Sequence, residues 1–338
     1  MTNPDLEIRP YRPGDEEKIL ETFNLVFREV CGPGFVDRTM EQWRWQYQQN
    51  PVGQRMSLAV APDGTVVSQY AGVPLLADTS YGPQVFVHCV DSMTHPAWRQ
   101  GLKRPGIFVI TGLPFSAHSR KIADAVLYGF PVDAAFCIGK RYLEYHFLRT
   151  LDYLVREAKQ GVAPCPAGIQ LERVDAIPAD VDGLWERARA NKPCALRRDR
   201  RYLDWRYVQI PSRKDYEIWT ARRNGTLVGL MVLQPKHELI PSACTIADWV
   251  VETADEPVLD AFVHVATQRA TELGREKVFA FFAPTAPEWQ LFTARGFAVL
   301  PSSIWMERRL VYLITGSPMD EGYLANQWWY TLGDSDLV

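Results

Sequence analysis

The chain repeats itself. Trp45-x-Tyr47-x-Gln49-x-Pro51 returns as Trp205-x-Tyr207-x-Gln209-x-Pro211, and Asp63-Gly64-Thr65 returns as Asn224-Gly225-Thr226. Asp91, set in an apolar run, has a counterpart in Asp248 of Ile246-Ala247-Asp248-Trp249. The matches keep their order at offsets near 160 residues, so the 338 residues are expected to hold two copies of one unit in tandem. Each copy reads β-α-α-β-β-β-α-β-α-β from its apolar periodicities and turn residues. The proline-rich stretch Gly161–Gly168 lacks periodicity and is the expected linker. It sets domains at residues 1–160 and 169–316, and leaves 317–338 as a tail. Trp328-Trp329-Tyr330 makes that tail too apolar for a free end, so it is expected to dock.

The copies part company at one place. In the first, the strand Phe86–Val90 breaks at Thr94-His95-Pro96 and enters a loop with Arg99, Gly101, Lys103, Arg104 and Gly106, after which Ile107, Phe108, Ile110 and Leu113 turn helical. A strand feeding a basic glycine loop that opens a helix aims unpaired amides and partial positive charge at an anion such as pyrophosphate. A solvated basic turn has the same composition. The matching stretch of the second copy, Val251–Pro257, has no glycine and no base but carries Glu252, Asp255 and Glu256, which would repel a pyrophosphate.

That order of elements, with the basic loop between its fourth strand and third helix, resembles the GNAT superfamily of acyl-CoA N-acyltransferases. From about residue 5 to 314 the chain resembles a tandem GNAT protein. Arg99-Gln100-Gly101-Leu102-Lys103-Arg104-Pro105-Gly106 is a stretched form of the family's Gln/Arg-x-x-Gly-x-Gly/Ala motif, and Tyr128-Gly129-Phe130-Pro131 is similar to the end of the fifth strand in tandem members. The resemblance implies an α/β fold of two tandem GNAT-like domains, each a mixed, mostly antiparallel sheet flanked by helices. It implies acetyl-CoA or another acyl-CoA as cosubstrate. The pantetheine would lie along Ser92, Met93 and Thr94, and the pyrophosphate on amides from Gln100 to Ile107, with Arg99, Gly101, Lys103, Arg104 and Gly106 around it. Only the first domain would bind it.

N-acylation needs an amine relieved of its proton, a held thioester carbonyl and an acid for the thiolate. Asp91 is the candidate base, because an apolar strand would raise its pKa. Asp248 holds the same position in the copy without the loop, which speaks equally for a structural role. The family's acid is often a tyrosine in the fourth helix. Gly139 and Phe292 stand in its place here, and Tyr142 and Tyr145 follow Gly139 at helical spacing, as displaced hydroxyls or as packing aromatics. Arg197–Arg201 reads as a solvated charge run, and Asp334 and Asp336 could meet a cationic amine.

Composition narrows the partners. A net charge of −3 gives no field for nucleic acid, and no apolar run nears the ~20 residues of a membrane span. The polar start lacks a secretion signal, and the six cysteines are scattered without a C-x-x-C, so a cytoplasmic protein with reduced thiols and no metal site is expected. The expected acceptor is a small-molecule amine. A Fem-type aminoacyl transferase and a CoA-binding protein without turnover remain as alternatives.

Overall fold

The computed structural model describes residues 6–99, 105–236, 240, 242–253, 255–305 and 307–336. The first copy runs β1 (Glu7–Pro10), α1 (Glu16–Cys31), α2 (Met40–Tyr47), β2 (Arg55–Val60), β3 (Val66–Thr79), β4 (Gly82–Thr94), α3 (Ile107–Lys121), β5 (Val126–Gly129), α4 (Asp133–Tyr142), β6 (His146–Thr150) and β7 (Asp152–Glu157). The second runs β8 (Gln170–Val174), α5 (Val181–Ala188), β9 (Cys194–Leu196), α6 (Arg200–Leu203), β10 (Glu217–Arg223), β11 (Thr226–Gln234), β12 (Ala243–Val251), α7 (Glu256–Glu272), β13 (Lys277–Ala280), α8 (Pro287–Thr293), β14 (Ala298–Pro301) and β15 (Arg309–Ile314). The tail adds α9 (Glu321–Gln327) and β16 (Trp328–Trp329).

Local chemistry accounts for these elements. The buried residues of α1 are Ile19, Thr22, Phe23 and Val26, one stripe at helical spacing. Thr39 and Gln42 close a capping box at the start of α2. The helix expected over Arg198–Val208 is shorter. It starts after the Asp199 cap and widens into a π turn over Asp204–Val208. The helix expected to reach Tyr145 ends at Tyr142, because Glu144 takes a left-handed φ of 58° and turns the chain toward β6.

The chain forms two compact units, each a mixed, mostly antiparallel sheet flanked by helices. Unit one is Met1–Leu76, Gln84–Leu148 and Arg309–Met319; unit two is Ala77–Pro83, Arg149–Arg308 and Asp320–Val338. The sheet of the first runs β1-β2-β3-β4-β5-β15-β6, and that of the second β14-β7-β13-β12-β11-β10-β8. The pairs β4–β5 and β12–β13 are parallel.

The units therefore do not follow the boundary expected at 161–168. β7, which closes the first copy in sequence, pairs with β13 and β14 in the second sheet. β15, which closes the second copy, pairs with β5 in the first sheet. β5 and β13 each have an edge to cover, and the other copy's closing strand covers it.

The tail belongs to the second unit's core. Trp328, Trp329 and Tyr330 are 1%, 3% and 2% exposed, and Trp328 and Trp329 pair with Cys194 and Ala195 of β9. Arg198, expected on a solvated face, is wholly buried, and so is Asp334. Trp329→Ala should lower unfolding stability by about 3–5 kcal/mol, the usual result of emptying a buried tryptophan site. Chemical denaturation would check this, and an unchanged midpoint would mean that the tail adds nothing to the core.

Candidate functional site

In the first unit the β4–β5 ladder holds only from Phe86↔Val126 to His88↔Tyr128, although β4 runs on to Thr94. The strands part there like a fork. Cys89–Thr94 then have an edge without a β5 partner, where an extended ligand can take up strand-like hydrogen bonds. The second unit has the same fork, since β12 and β13 pair only from Ala243↔Lys277 to Thr245↔Phe279.

Asp91 sits in the first fork with a left-handed φ of 56°. Strict alternation would put it on the face of Cys89, but its carboxylate instead meets Arg38 and α2. Arg38 donates to it through both terminal nitrogens, one at 3.1 Å, and Gln46 Nε2 and Tyr47 Oη donate at 2.8 and 2.6 Å. Gln69 Nε2 holds the Asp91 carbonyl at 3.0 Å. Burial pushes the Asp91 carboxyl up, but the Arg38 charge and the three donors outweigh it and hold it below the usual carboxylate range. Asp91 is therefore a firmly ionised group, poorly suited to the task of a base. Arg38 was not singled out from the sequence. The signal was there, because Arg198 follows it at an offset of 160, the spacing of Tyr47 and Tyr207.

Tyr145 lies beyond α4, and its ring folds back onto that helix. A β-carbon on Gly139 would overlap the ring, so only glycine fits there. The tyrosine thus occupies the space that a side chain at position 139 would fill. Its hydroxyl meets that of Tyr70, and both pack with Cys89, Ile138 and Tyr142 around Val87, Val109, Phe115 and Leu143. Burial pushes both tyrosine hydroxyls up and the Cys89 thiol up to about 12, so all three keep their protons at neutral pH. Tyr142 is half-buried under Arg141, whose guanidinium lies 5.2 Å from its ring. In the second unit Phe292, with no exposed surface, stands between Trp249, Phe282 and Phe297 and offers no hydroxyl.

The helices that follow the forks start differently. α3 begins at Gly106, with no side-chain cap and no acid in its first turn. α7 begins at Asp255, whose carboxylate accepts from Val258 N and pairs with Arg223 at 2.7 Å. Glu252 and Glu256 are paired as well, with Arg187 and Arg295. The second helix carries its own anion. The first has no such side chain among the described residues.

Of the residues expected around a cofactor, Met93 is buried and its carbonyl accepts from Ser68 Oγ at 2.9 Å. Thr94 Oγ1 lies 3.3 Å from the same hydroxyl, and Ser92 is half-buried beside Asp91. Ile107 is buried under the helix start. Arg99 is exposed, pairing with Glu29 at 2.9 Å and donating to Thr94 O. Gln100, Gly101, Lys103 and Arg104 lie outside the described residues. Among the described residues, no group of acids, histidines and cysteines is arranged to hold a metal, and no helix is long and apolar enough to cross a membrane.

No protein-family model and no curated protein sequence matches the chain. Solved structures do. A protein of Enterococcus faecalis V583 described as a probable N-acyltransferase is 14% identical at a TM-score of 0.64, over 92% of this chain and 73% of that one. A tandem GNAT protein from the clavulanic acid biosynthesis pathway is 13% identical at 0.55, over 94% of this chain and 100% of that one. The N-myristoyltransferase of Saccharomyces cerevisiae, solved with myristoyl-CoA, is 11% identical at 0.61, over 95% of this chain and 81% of that one. At these identities the likeness shows the fold: a tandem pair of GNAT-like units.

The second fork has an occupant from the tail. Asp248 accepts from Arg198 Nε at 3.2 Å, Tyr207 Oη at 3.0 Å and Thr331 Oγ1 at 2.9 Å. Asp334 pairs with the same Arg198 at 2.6 Å. Two buried carboxylates share one guanidinium. Burial pushes the Asp334 carboxyl up to about 6, against the pull of Arg198. Its folded pKa thus lies above the ordinary value near 4, so between about pH 4 and pH 6 the folded chain binds the extra proton and stability falls as pH rises. Denaturation across that window should show this slope in the wild type and its loss in Asp334→Asn. An equal slope in both would place the titration elsewhere.

Proposed function

We propose that the chain is an acyl-CoA-dependent N-acyltransferase that acts by direct transfer on an amine, with acetyl-CoA or a related thioester held by the first unit alone. The contrast between the two helix starts carries this: α3 has no side-chain cap and no acid in its first turn, and α7 is filled by Asp255. The printed descriptions of the similar proteins, acyltransferases and a myristoyl-CoA complex, support it.

In this reading the pyrophosphate rests on the amides of Gly106 and Ile107. Gln100, Gly101, Lys103 and Arg104 complete the cradle, and Arg99 stands at its entrance. The pantetheine pairs with the open edge at Ser92, Met93 and Thr94, which brings the thioester to the fork. The amine nitrogen attacks the thioester carbonyl, the C–N bond forms and the C–S bond breaks. With Tyr70 as the donor to Tyr145 Oη, the Tyr145 proton is left for the departing sulfur. The proton lost by the amine restores it through water. Tyr142 packs against the same core as Tyr145. Asp91 positions the acceptor side of the fork as a carboxylate.

The helix start can be tested without disturbing the fold. Gly106 has an ordinary φ of −71° and open space at its β-carbon. Gly106→Asp should cap α3 and stabilise the protein by only about a few tenths of a kcal/mol, since glycine is itself an acceptable N-cap. The same change should weaken acetyl-CoA binding, measured by calorimetry, at least ~10-fold, and Glu252→Ala should leave it unchanged. No heat with wild-type protein at millimolar acetyl-CoA would refute the proposal. Tyr145→Phe should lower kcat for CoA release by about 10²-fold, the low end for a general acid because a thiolate leaves easily.

A further inference from the structure

We infer that Arg38 and Asp91 bind the acceptor, and that the acceptor is a small amine carrying a hydroxyl and a carboxylate, in the class of the hydroxy-amino acids. This rests on the acyl-CoA reading above and names the substrate class of the same fork.

The second unit supplies the template. Thr331 bridges to Phe282, two residues past the end of β13, so the tail lies in the opening where β12 and β13 part. There the Thr331 hydroxyl donates to Asp248 at 2.9 Å and accepts from Arg198 Nη2 at 3.0 Å, while the Asp334 carboxylate meets that nitrogen at 2.6 Å. Gly333 packs so closely that a β-carbon would come 2.5 Å from Tyr207 Oη and 2.7 Å from Asp248. An arginine, an aspartate and a tyrosine at a fork thus receive one hydroxyl and one carboxylate, and under them Arg198 and Asp248 are both 0% exposed.

The first unit keeps the same three groups in Arg38, Asp91 and Tyr47, yet Arg38 and Asp91 are 22% and 11% exposed. Both terminal nitrogens of Arg38 lie on Asp91, where Arg198 uses Nε for Asp248, so an incoming carboxylate would meet the exposed side of the Arg38–Asp91 pair and a hydroxyl would reach Asp91, in the manner of the tail at Arg198 and Asp248. The first unit also lacks the tail's backbone grip. Tyr202 and Arg206 donate to the carbonyls of Gly333 and Ser335, at 3.1 and 3.3 Å. At the same offset the first copy has Gln42, spent in the α2 cap, and Gln46, turned onto Asp91. Recognition of the hydroxyl and carboxylate is retained and recognition of a peptide backbone is not, which favours a free small molecule over a peptide.

Free-CoA release from acetyl-CoA should be measured with L-threonine, L-serine, their carboxamides, spermidine and glucosamine. The free acids should exceed their amides in kcat/KM by about 10-fold or more, as loss of a charge-assisted contact implies. Arg38→Gln should bring that ratio to about one by raising KM for the acids, with acetyl-CoA affinity unchanged. Arg38→Lys, which retains the charge, should keep part of the preference. An equal loss for acids and amides in both variants would mean a structural role only and would overturn the inference. So would turnover of spermidine or glucosamine with no preference for the acids. Those results leave calorimetric acetyl-CoA binding intact, whereas absence of that binding removes the acyl-CoA reading itself.

Discussion

A carboxylate on the fourth strand, held by an arginine that precedes the second helix, is the contact on which each unit depends. A buried carboxylate is tolerable only when paired and supplied with donors. Asp91 has Arg38, Gln46 and Tyr47, and Asp248 has Arg198, Tyr207 and Thr331. Apart from Thr331, the partners come from a segment 41 to 53 residues upstream, so the pair pins that segment to the strand where the sheet opens. Such a pair does little for net stability compared with an apolar substitute, but it leaves few alternative packings. At this position, that means a fork of fixed shape.

From that common frame the copies diverge by filling or not filling the same three places. In the second unit a carboxylate caps the helix, a phenylalanine stands where a hydroxyl would be needed, and the tail lies in the fork. In the first unit the helix start has no side-chain cap among the described residues, Tyr145 swings back over Gly139 with its hydroxyl on Tyr70, and the hub keeps some contact with solvent. The second unit is a finished solid. The first has its polar groups organised around an opening.

Much of this was legible in the sequence, and the exceptions have physical causes. Most of the element order followed from periodicity, though the short β9 between α5 and α6 did not. Asp91 and its double Asp248 marked the hub, but their arginines stayed hidden. Arg198 sits in a run of charges that reads as solvated, and its burial depends on Asp334, far along the chain. Tyr145 was assigned to a helix because its spacing fits one, whereas a single left-handed residue, Glu144, takes it off the helix. The exchange of β7 and β15 leaves no trace in either strand. An apolar run specifies that it will be buried, and its pairing partner is chosen by whichever edge is open.

That exchange has a consequence for how the chain comes to be. The fifth strand of the first copy waits for β15, more than 175 residues later, before its far edge is covered. During synthesis the first sheet must stand incomplete while the whole second copy emerges, and β7 must find a sheet whose strands have yet to be made. Such long-range closure makes folding slow and exposes strand edges to wrong partners. It also means that neither copy could be lost, shortened or separately inherited without unmaking the other. The duplication is thereby locked in, and the second copy, whatever its chemistry, persists because the first sheet ends with its strand.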